Sequence, residues 1–472
     1  MTGSGRVSVA GWCRRRGLCC AAVDAEDLDY RTRTQSGCIP PHLVARLLDL
    51  GHHEVVAAWA ARGEWFCARE HARLLSTQGR HVEAVRVLDP YLATGWWTAA
   101  EAAAEVLEGW GKADEAIALV RPRAEGGSSP ELAFCARLLA RHDRADEAFS
   151  LLAPHIADRI AAAALVDVAA VAGRDEEAAE LLTARIRAAR DCDRCGLPAC
   201  GRGGVAPSNA VELLAEIRER QGRIDDAVAL LRTRDITSVG NRDRLADLLA
   251  RHGRFEELRA YATVEHHGHA AARLVEWLEE RGDVEGAITV LRDRVDARAG
   301  FSHPEVCLAQ LLERHGRVDE AIAVMRALVD ADPEDWTVSI LCTMYADHGR
   351  AREGLAHLDD ILPGQQDWEF FGSRIDLLAA CGLHEEAITQ ARAHPEGDSW
   401  YAAWTIAETL ADAGRLEEAV TELERHPTAN PTFLDRYLID LGRIEEAVAR
   451  LRRPHPRPTW PAATTYTDCP PF

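Results

Sequence analysis

Three cysteines lie close together near the middle of this 472-residue chain. Cys192 and Cys195 have the Cys-x-x-Cys spacing of a zinc knuckle, and Cys200 follows them in a stretch rich in glycine. A structural zinc site ordinarily takes four protein ligands, so the fourth would have to be Asp193, a distant histidine or water. The same thiols could instead form a redox pair, or they could be incidental cysteines of an exposed loop. Zinc is therefore the one cofactor that the sequence suggests, with these alternatives open.

Other clusters of candidate ligands give less specific signals. His266, His267 and His269 follow Glu265 between two predicted helices, and imidazoles near a carboxylate can bind a divalent metal. Cys67 and His71 lie four residues apart, which places them on one face of a helix. Neither group comes with a full set of ligands at metal-binding spacing, so the cysteine-rich loop remains the strongest metal candidate.

The sequence shows none of the familiar catalytic motifs. It has no Gly-x-Ser-x-Gly, no His-Glu-x-x-His and no phosphate-binding glycine loop. Acidic pairs such as Asp225-Asp226 and Glu385-Glu386 resemble catalytic carboxylates, yet they recur at one fixed place in a repeating pattern. Carboxylates at that place stabilise the first turn of a helix. We therefore expect a protein that is not an enzyme.

An internal repeat determines which elements hold these residues. Each unit contains an apolar pair, a short spacer, Gly-Arg, an apolar residue, two acids and an alanine, as in 316–321 and 414–419. The units follow one another at a nearly constant spacing, except where the cysteine-rich stretch is inserted. The corresponding residues of the other units are Gly51, Gly79, Gly111, Asp143, Gly173, Gly222, Gly253, Gly282, Gly349, Gly382 and Gly442.

Each unit is predicted to form two antiparallel helices. The glycine ends the first helix in a left-handed conformation, and the acids after it begin the second. A small residue recurs in each helix, as Ala309 and Ala321 do in one unit, where two helices must cross closely. A large apolar residue such as Leu312 precedes the turn.

This pattern resembles the tetratricopeptide repeat, whose unit is roughly 34 residues. The resemblance extends over about residues 39–453, although the closing proline of the motif appears clearly only as Pro333. It implies an all-α, right-handed superhelical solenoid of about 12–13 antiparallel helix hairpins. The style of the chain is similar to the long alanine- and arginine-rich tetratricopeptide proteins of actinobacteria.

The repeat divides the chain into five segments. We expect an irregular N-terminal segment at 1–38, a first block of repeats at 39–190, and a cysteine-rich insertion loop at 191–206. A second block of repeats follows at 207–453, and a proline-rich tail occupies 454–472.

The resemblance also implies a concave groove in which a partner segment would lie. An aromatic residue in such a groove makes a good anchor, and a graded charge would orient an extended peptide. The same residues could be an ordinary solvated helix face, and the aromatic ones could serve packing between repeats. By position in the repeat, the groove residues would include Arg69, Arg73, Arg137, Arg141, Arg251, Arg314, Asp376, Tyr401, Trp404 and Glu408.

Composition limits the classes of partner and location. The net charge of −21 argues against nucleic acid as the main partner, because phosphate binding needs a basic surface. No apolar stretch is long enough to span a membrane, and the 13 cysteines, which are an odd number, fit a reducing cytoplasm. The expected function is a cytoplasmic, non-catalytic scaffold that binds another protein or a peptide segment. The alternative is a sensor whose cysteine-rich loop binds zinc or responds to oxidation. The sequence does not fix the oligomeric state.

Overall fold

A computed structural model describes residues 24–126, 128–187, 207–233, 238–239, 242–265, 267–297, 303–362, 364, 367–426 and 431–453. The predicted cysteine-rich loop, with Cys192, Cys195 and Cys200, lies outside these residues, as does the predicted tail at 454–472.

Helices joined by short turns account for nearly all of the described chain. In order they are α1 (Ala25–Thr34), α2 (Pro41–Asp49), α3 (His53–Ala61), α4 (Trp65–Thr77), α5 (His81–Leu92), α6 (Trp97–Gly109), α7 (Ala113–Ala124), α8 (Ser129–Arg141), α9 (Ala145–Leu152), α10 (Arg159–Ala172), α11 (Asp175–Arg187), α12 (Pro207–Arg220), α13 (Ile224–Arg232), α14 (Arg244–Arg251), α15 (Phe255–Val264), α16 (His269–Glu280), α17 (Val284–Ala297), α18 (Pro304–Arg314), α19 (Val318–Ala331), α20 (Asp335–Asp347), α21 (Ala351–Ile361), α22 (Trp368–Ala380), α23 (His384–Ala393), α24 (Trp400–Asp412), α25 (Leu416–Glu424), α26 (Pro431–Asp440) and α27 (Ile444–Leu451).

The chain forms two compact units, Met1–Leu213 with Ile444–Phe472, and Leu214–Arg443. Within each unit the helices pack as successive hairpins, such as α8 with α9 in the first unit and α18 with α19 in the second. First helices of neighbouring hairpins also lie side by side, as α8 and α10 do, and as α20 and α22 do. The fold is therefore the all-α helical-repeat solenoid that the sequence predicted.

Hairpins turn at a residue in the left-handed backbone conformation. The φ angle is +73° at Gly316, and it is +59° at Asp143, which takes the place of glycine in one unit. The amide of the next residue then donates to a carbonyl five residues back, as from Arg317 to Leu312 at 2.9 Å. This bond satisfies a carbonyl that the end of the helix leaves unpaired.

The predicted small residues are buried where helices pack. Ala309 and Ala321 each have no exposed surface, and Leu312 before the turn is also fully buried. Because protein interiors are closely packed, a methyl group at these places determines how near two helices can approach. The same full burial is found at Ala84, Ala116, Ala148, Ala178, Ala227, Ala287, Ala387, Ala419 and Ala447.

One hairpin exchanges the sizes of two core residues. Tyr345 replaces the leucine that most units have before the turn, and it is fully buried. Gly354 replaces the alanine of the second helix, and a Cβ atom there would lie 3.0 Å from the Tyr345 side chain. The glycine therefore makes room for the larger ring.

Two local features differ from the expectation from sequence. The segment 1–38, expected to be irregular, contains α1, where the Asp24 side chain accepts a hydrogen bond from the amide of Asp27 at 2.7 Å. Leu28 is the one buried residue of α1, which is otherwise polar. The apolar pattern of this segment is therefore too weak to predict a helix. Two-residue strands, β1 (Ser238–Val239) and β2 (Arg242–Asp243), also pair antiparallel before α14.

We expect Gly354→Ala to lower the free energy of unfolding by about 1–3 kcal/mol, because the added methyl group overpacks the contact with Tyr345. Gly109→Ala is the matched control, since a Cβ atom at this helical glycine meets nothing within 4 Å. Urea unfolding of both variants measures the difference. Tyr345→Leu combined with Gly354→Ala should recover most of the loss, and equal losses in the two glycine variants would contradict the packing argument.

Candidate functional site

The arginine that follows the turn glycine links successive hairpins. Arg317 places Nε 2.7 Å from Glu320 in its own second helix and Nη1 2.7 Å from Glu285 of the preceding hairpin. The two acids after Gly316 thus have different partners, because Asp319 pairs with Arg350 of the next hairpin and Glu320 pairs with Arg317 of its own. The sequence interpretation gave these acids a role at helix starts and did not find this ion-pair network. Equivalent turn arginines are Arg144, Arg174, Arg254, Arg350 and Arg415.

The six arginines predicted to line a groove are all ion-paired. A cationic surface open to a partner would require exchange of these pairs, since each guanidinium already contacts a carboxylate. The pairs are Arg69 and Arg73 with Glu70, Arg137 with Asp167 at 2.9 Å, Arg141 with Glu108 at 2.8 Å, Arg251 with Glu219 at 2.9 Å, and Arg314 with Glu279 at 2.9 Å.

Histidines just before the turn join the same carboxylates. The Nε2 atom of His252 lies 2.8 Å from Oε1 of Glu219, which Arg251 also contacts. A sequence signal could have revealed these contacts. It is the tripeptide Arg-His-Gly, which ends on the turn glycine, together with an acid three residues before the turn glycine of the preceding hairpin. The tripeptide recurs at His315, which contacts Glu279 at 2.8 Å. Two variants of it make the same kind of contact: His142, followed by Asp143, with Glu108 at 3.0 Å, and His348, preceded by Asp347, with Glu313 at 2.8 Å.

We expect Glu219→Gln to destabilise the protein by about 1 kcal/mol at neutral pH. Burial would raise the pKa of Glu219, but hydrogen bonds from Arg251 and His252 bring it below its ordinary value. The stabilisation is therefore present above the unfolded-state pKa of about 4.3 and is lost as pH falls through the folded-state pKa. Urea unfolding across this range should show the gap between variant and native protein closing in acid.

Glu256→Gln is the control for this measurement. Glu256 is exposed, and the next hairpin has Asp283 where others have the turn arginine. Its substitution should change the unfolding free energy little at any pH. A constant loss for Glu219→Gln from neutral pH down to pH 3 would contradict the ion-pair explanation.

A different surface lies on the second unit, and we call it the aromatic–acidic face. It comprises Tyr401, Trp404, Glu408 and Asp412 on α24, and Asp376 on α22. The four residues of α24 are spaced by three or four positions, so they form one stripe along the helix. The helices α22 and α24 pack against each other, which brings Asp376 beside this stripe.

The carboxylates of the aromatic–acidic face have no ion-pair partners among the described residues, whereas each arginine predicted to line the groove has one. Among the residues described, none forms an ion pair with Asp376, Glu408 or Asp412. Surrounding protein atoms and the nearby charge of Asp412 raise the pKa of Asp376 to about 6. Burial, followed by the charges of Asp376 and Asp412, also raises the pKa of Glu408. The face thus concentrates carboxylates without a direct ion pair among the described residues, and the nearby charge of Arg436 offsets the raised pKa of Glu408 only in part.

The two predicted aromatic anchors are half-buried and contact other rings. The Tyr401 ring lies 5.7 Å from the ring of Trp368, and the Trp404 ring lies 5.5 Å from that of Phe433. The neighbouring Trp400 is 47% exposed. Packing between repeats therefore covers part of the surface of Tyr401 and Trp404, and the rest of each side chain is accessible beside the carboxylates.

We expect Asp376→Asn to remove a pH dependence from protein stability. Because the folded-state pKa is raised above the unfolded value of about 3.9, the native protein holds the proton more tightly, and stability falls as pH rises through about 6. The advantage of the variant over native protein in urea unfolding should therefore grow from about pH 4 to about pH 6 and stay constant above that. The exposed Asp347→Asn on α20 is the control, and parallel pH profiles for native protein and Asp376→Asn would refute the raised pKa.

Cys67, which the sequence analysis paired with His71, and the neighbouring Cys38 are buried thiols. Burial, with a contribution from the nearby Glu64 carboxylate, raises the pKa of both Cys38 and Cys67 to about 12, so both are neutral at physiological pH. Glu265, beside the histidine cluster, accepts hydrogen bonds from the amides of His267 and Ala270. Across the described ranges, no three His, Cys, Asp or Glu side chains are placed to hold a metal ion.

The described helices are also too short or too polar to cross a membrane.

Repeated helix hairpins, turns through a residue in the left-handed conformation, and buried alanines where helices pack together define the class of the fold. The fold is tetratricopeptide-like. No family model matches the chain. No curated protein matches it either.

Solved structures similar to this chain include several helical-repeat proteins. The structure of Naa15/Naa10 bound to HypK-THB is 15% identical, with 87% of this chain and 67% of that chain covered and a TM-score of 0.45. A thermophilic tetratricopeptide protein from Thermus thermophilus is 20% identical, with 38% and 97% covered and a TM-score of 0.26. The Cut9–Hcn1 hetero-tetramer is 10% identical, with 86% and 92% covered and a TM-score of 0.25.

Proposed function

We propose that this protein is a cytoplasmic, non-catalytic scaffold that holds a segment of another protein on its aromatic–acidic face. It would act by keeping bound partners near one another, without turnover. The observation that carries the proposal is the set of carboxylates without direct counter-ions beside accessible aromatic rings on α22 and α24.

The contrast with the arginine-rich surfaces supports this choice of site. Arg251 and Arg314 already contact Glu219 and Glu279, so a ligand there would have to displace an existing ion pair. At Asp376 and Glu408 a cationic group would relieve repulsion among carboxylates instead. Binding at this face therefore meets a smaller electrostatic cost.

The chemistry of the face indicates the kind of partner. Lysine or arginine side chains would pair with Asp376, Glu408 and Asp412, and apolar side chains would pack against Tyr401 and Trp404. Unlike charges across an interface also speed association and fix the orientation of the bound segment. The net charge of −21 and the acidic character of the face both disfavour nucleic acid.

A labelled peptide of alternating lysine and leucine clusters tests the proposal, with a peptide in which glutamate replaces lysine as its counterpart. Fluorescence anisotropy should show that the basic peptide binds, and that added salt weakens this binding. The Asp376→Asn, Glu408→Gln variant should bind about tenfold more weakly, equivalent to about 1.4 kcal/mol. The Tyr401→Ala, Trp404→Ala variant should show a similar loss that depends less on salt.

Two controls make this experiment specific. Trp336→Ala removes a partly exposed tryptophan at the start of α20, outside the face, and it should leave affinity unchanged. Calorimetry near pH 6 should also show proton release on binding, because a bound cation lowers the pKa of Asp376. Equal binding of the acidic peptide, or an equal loss in Trp336→Ala, would reject the proposal.

The sensor alternative depends on Cys192, Cys195 and Cys200. These residues lie outside the described part of the chain, so a zinc site or a redox pair at the loop stays a prediction from the sequence.

A further inference from the structure

A carboxylate is buried at the start of the second hairpin. Glu64 is 2% exposed and directly precedes α4, yet its side chain does not cap that helix. Its Oε2 atom instead accepts a hydrogen bond from the backbone amide of Ile39 at 3.3 Å. A buried carboxylate is costly unless a cation or several donors compensate for the lost water.

The cation comes from the other end of the sequence. The Nε atom of Arg452 lies 2.7 Å from Oε1 of Glu64, and its guanidinium carbon lies 5.1 Å from the centre of the Trp59 ring. Arg452 directly follows α27, which belongs to the same compact unit as Glu64. Ala447 and Val448 of this helix are fully buried.

The surroundings of Glu64 make Arg452 its principal partner. Burial raises the pKa of Glu64, and Arg452 gives the largest opposing effect, with a smaller one from Arg31. Cys38 and Cys67, which also lie near the carboxylate, are neutral. Among the described residues, Arg452 forms the one direct ion pair with this carboxylate.

We propose that α27 and Arg452 form a detachable C-terminal clasp on the N-terminal hairpins, held by the Glu64–Arg452 ion pair and the Trp59 ring. With the clasp in place, Glu64 is neutralised and Trp59 is covered. With the clasp released, the hairpins α2–α3 and α4–α5 present a carboxylate beside an indole ring, which is a surface suited to an arginine-bearing helix.

The clasp explains two observations that the scaffold function does not. One is a buried carboxylate that does not cap the helix it precedes, whereas the buried Asp243 caps α14. The other is that the last described helix belongs to the same compact unit as the N-terminal hairpins. The proposal is independent of the aromatic–acidic face, because no residue is shared between the two sites.

Hydrogen–deuterium exchange of the full-length protein tests the clasp. Arg452→Met should increase the exchange rates of amides in 39–64 and 444–451 by about tenfold or more, because the buried carboxylate then lacks its cation. Arg453→Met is the matched control, since this adjacent arginine is exposed as Arg452 is, but forms no ion pair among the residues described. Arg452→Lys, which keeps the charge and loses the planar guanidinium, should give an intermediate result.

A double substitution separates the ion pair from packing of the arginine stem. In a Glu64→Gln background, Arg452→Met should accelerate exchange much less, because no buried charge remains to be compensated. Circular dichroism verifies that each variant remains helical. Exchange in Arg452→Met that matches Arg453→Met overturns the proposal. The proposal is also overturned if protection of these amides from exchange depends on protein concentration and light scattering shows a dimer. That result would mean that the contact forms between two copies of the chain.

Discussion

The hairpins depend on one backbone constraint, which is that the chain leaves each first helix through a single residue in the left-handed conformation. Glycine meets this requirement without strain, and Asp143 meets it once with φ of +59°. The next amide then bonds to a carbonyl five residues back, so the second helix begins in the same place in each unit. Regular packing of alanines and leucines becomes possible only after this geometry is fixed.

The same constraint explains the charges around the turn. Because the residue after the turn leaves it in one direction, an arginine there can reach both its own second helix and the preceding hairpin. Arg350 shows this double contact, with Glu353 and Asp319 each at 2.7 Å. Each exposed pair contributes little by itself, but the repetition joins neighbouring hairpins at their edges.

Features confined to one repeat could be predicted from the sequence, and features that join repeats mostly could not. The glycine turn, the buried Ala321 and the buried Leu312 follow from a period that is visible in the sequence alone. The pairing of Arg141 with Glu108 needs the register between two hairpins, and the sequence interpretation treated each helix face separately. The raised pKa of Asp376 depends on Asp412 and on surrounding atoms, and the contact of Arg452 with Glu64 depends on the path of the whole chain. Spacing along the sequence does not contain that information.

Asp283 interrupts the turn arginines, and this interruption has a mechanical consequence. The carboxylate of Asp283 accepts a hydrogen bond from the amide of Gly286 at 3.0 Å, and a Cβ atom at this glycine would force the carboxylate to move. Asp283 therefore forms a hydrogen bond at the start of its own second helix, where a turn arginine would pair with a carboxylate. At this turn, the hairpin of α16 and α17 lacks the arginine link to the hairpin before it. When the second unit is pulled along its length, the contact between the hairpin of α14 and α15 and the hairpin of α16 and α17 should separate more readily than its neighbours. High salt should weaken the neighbouring hairpin contacts more than this one, which keeps the ion pair of Arg273 with Asp247 at 3.3 Å.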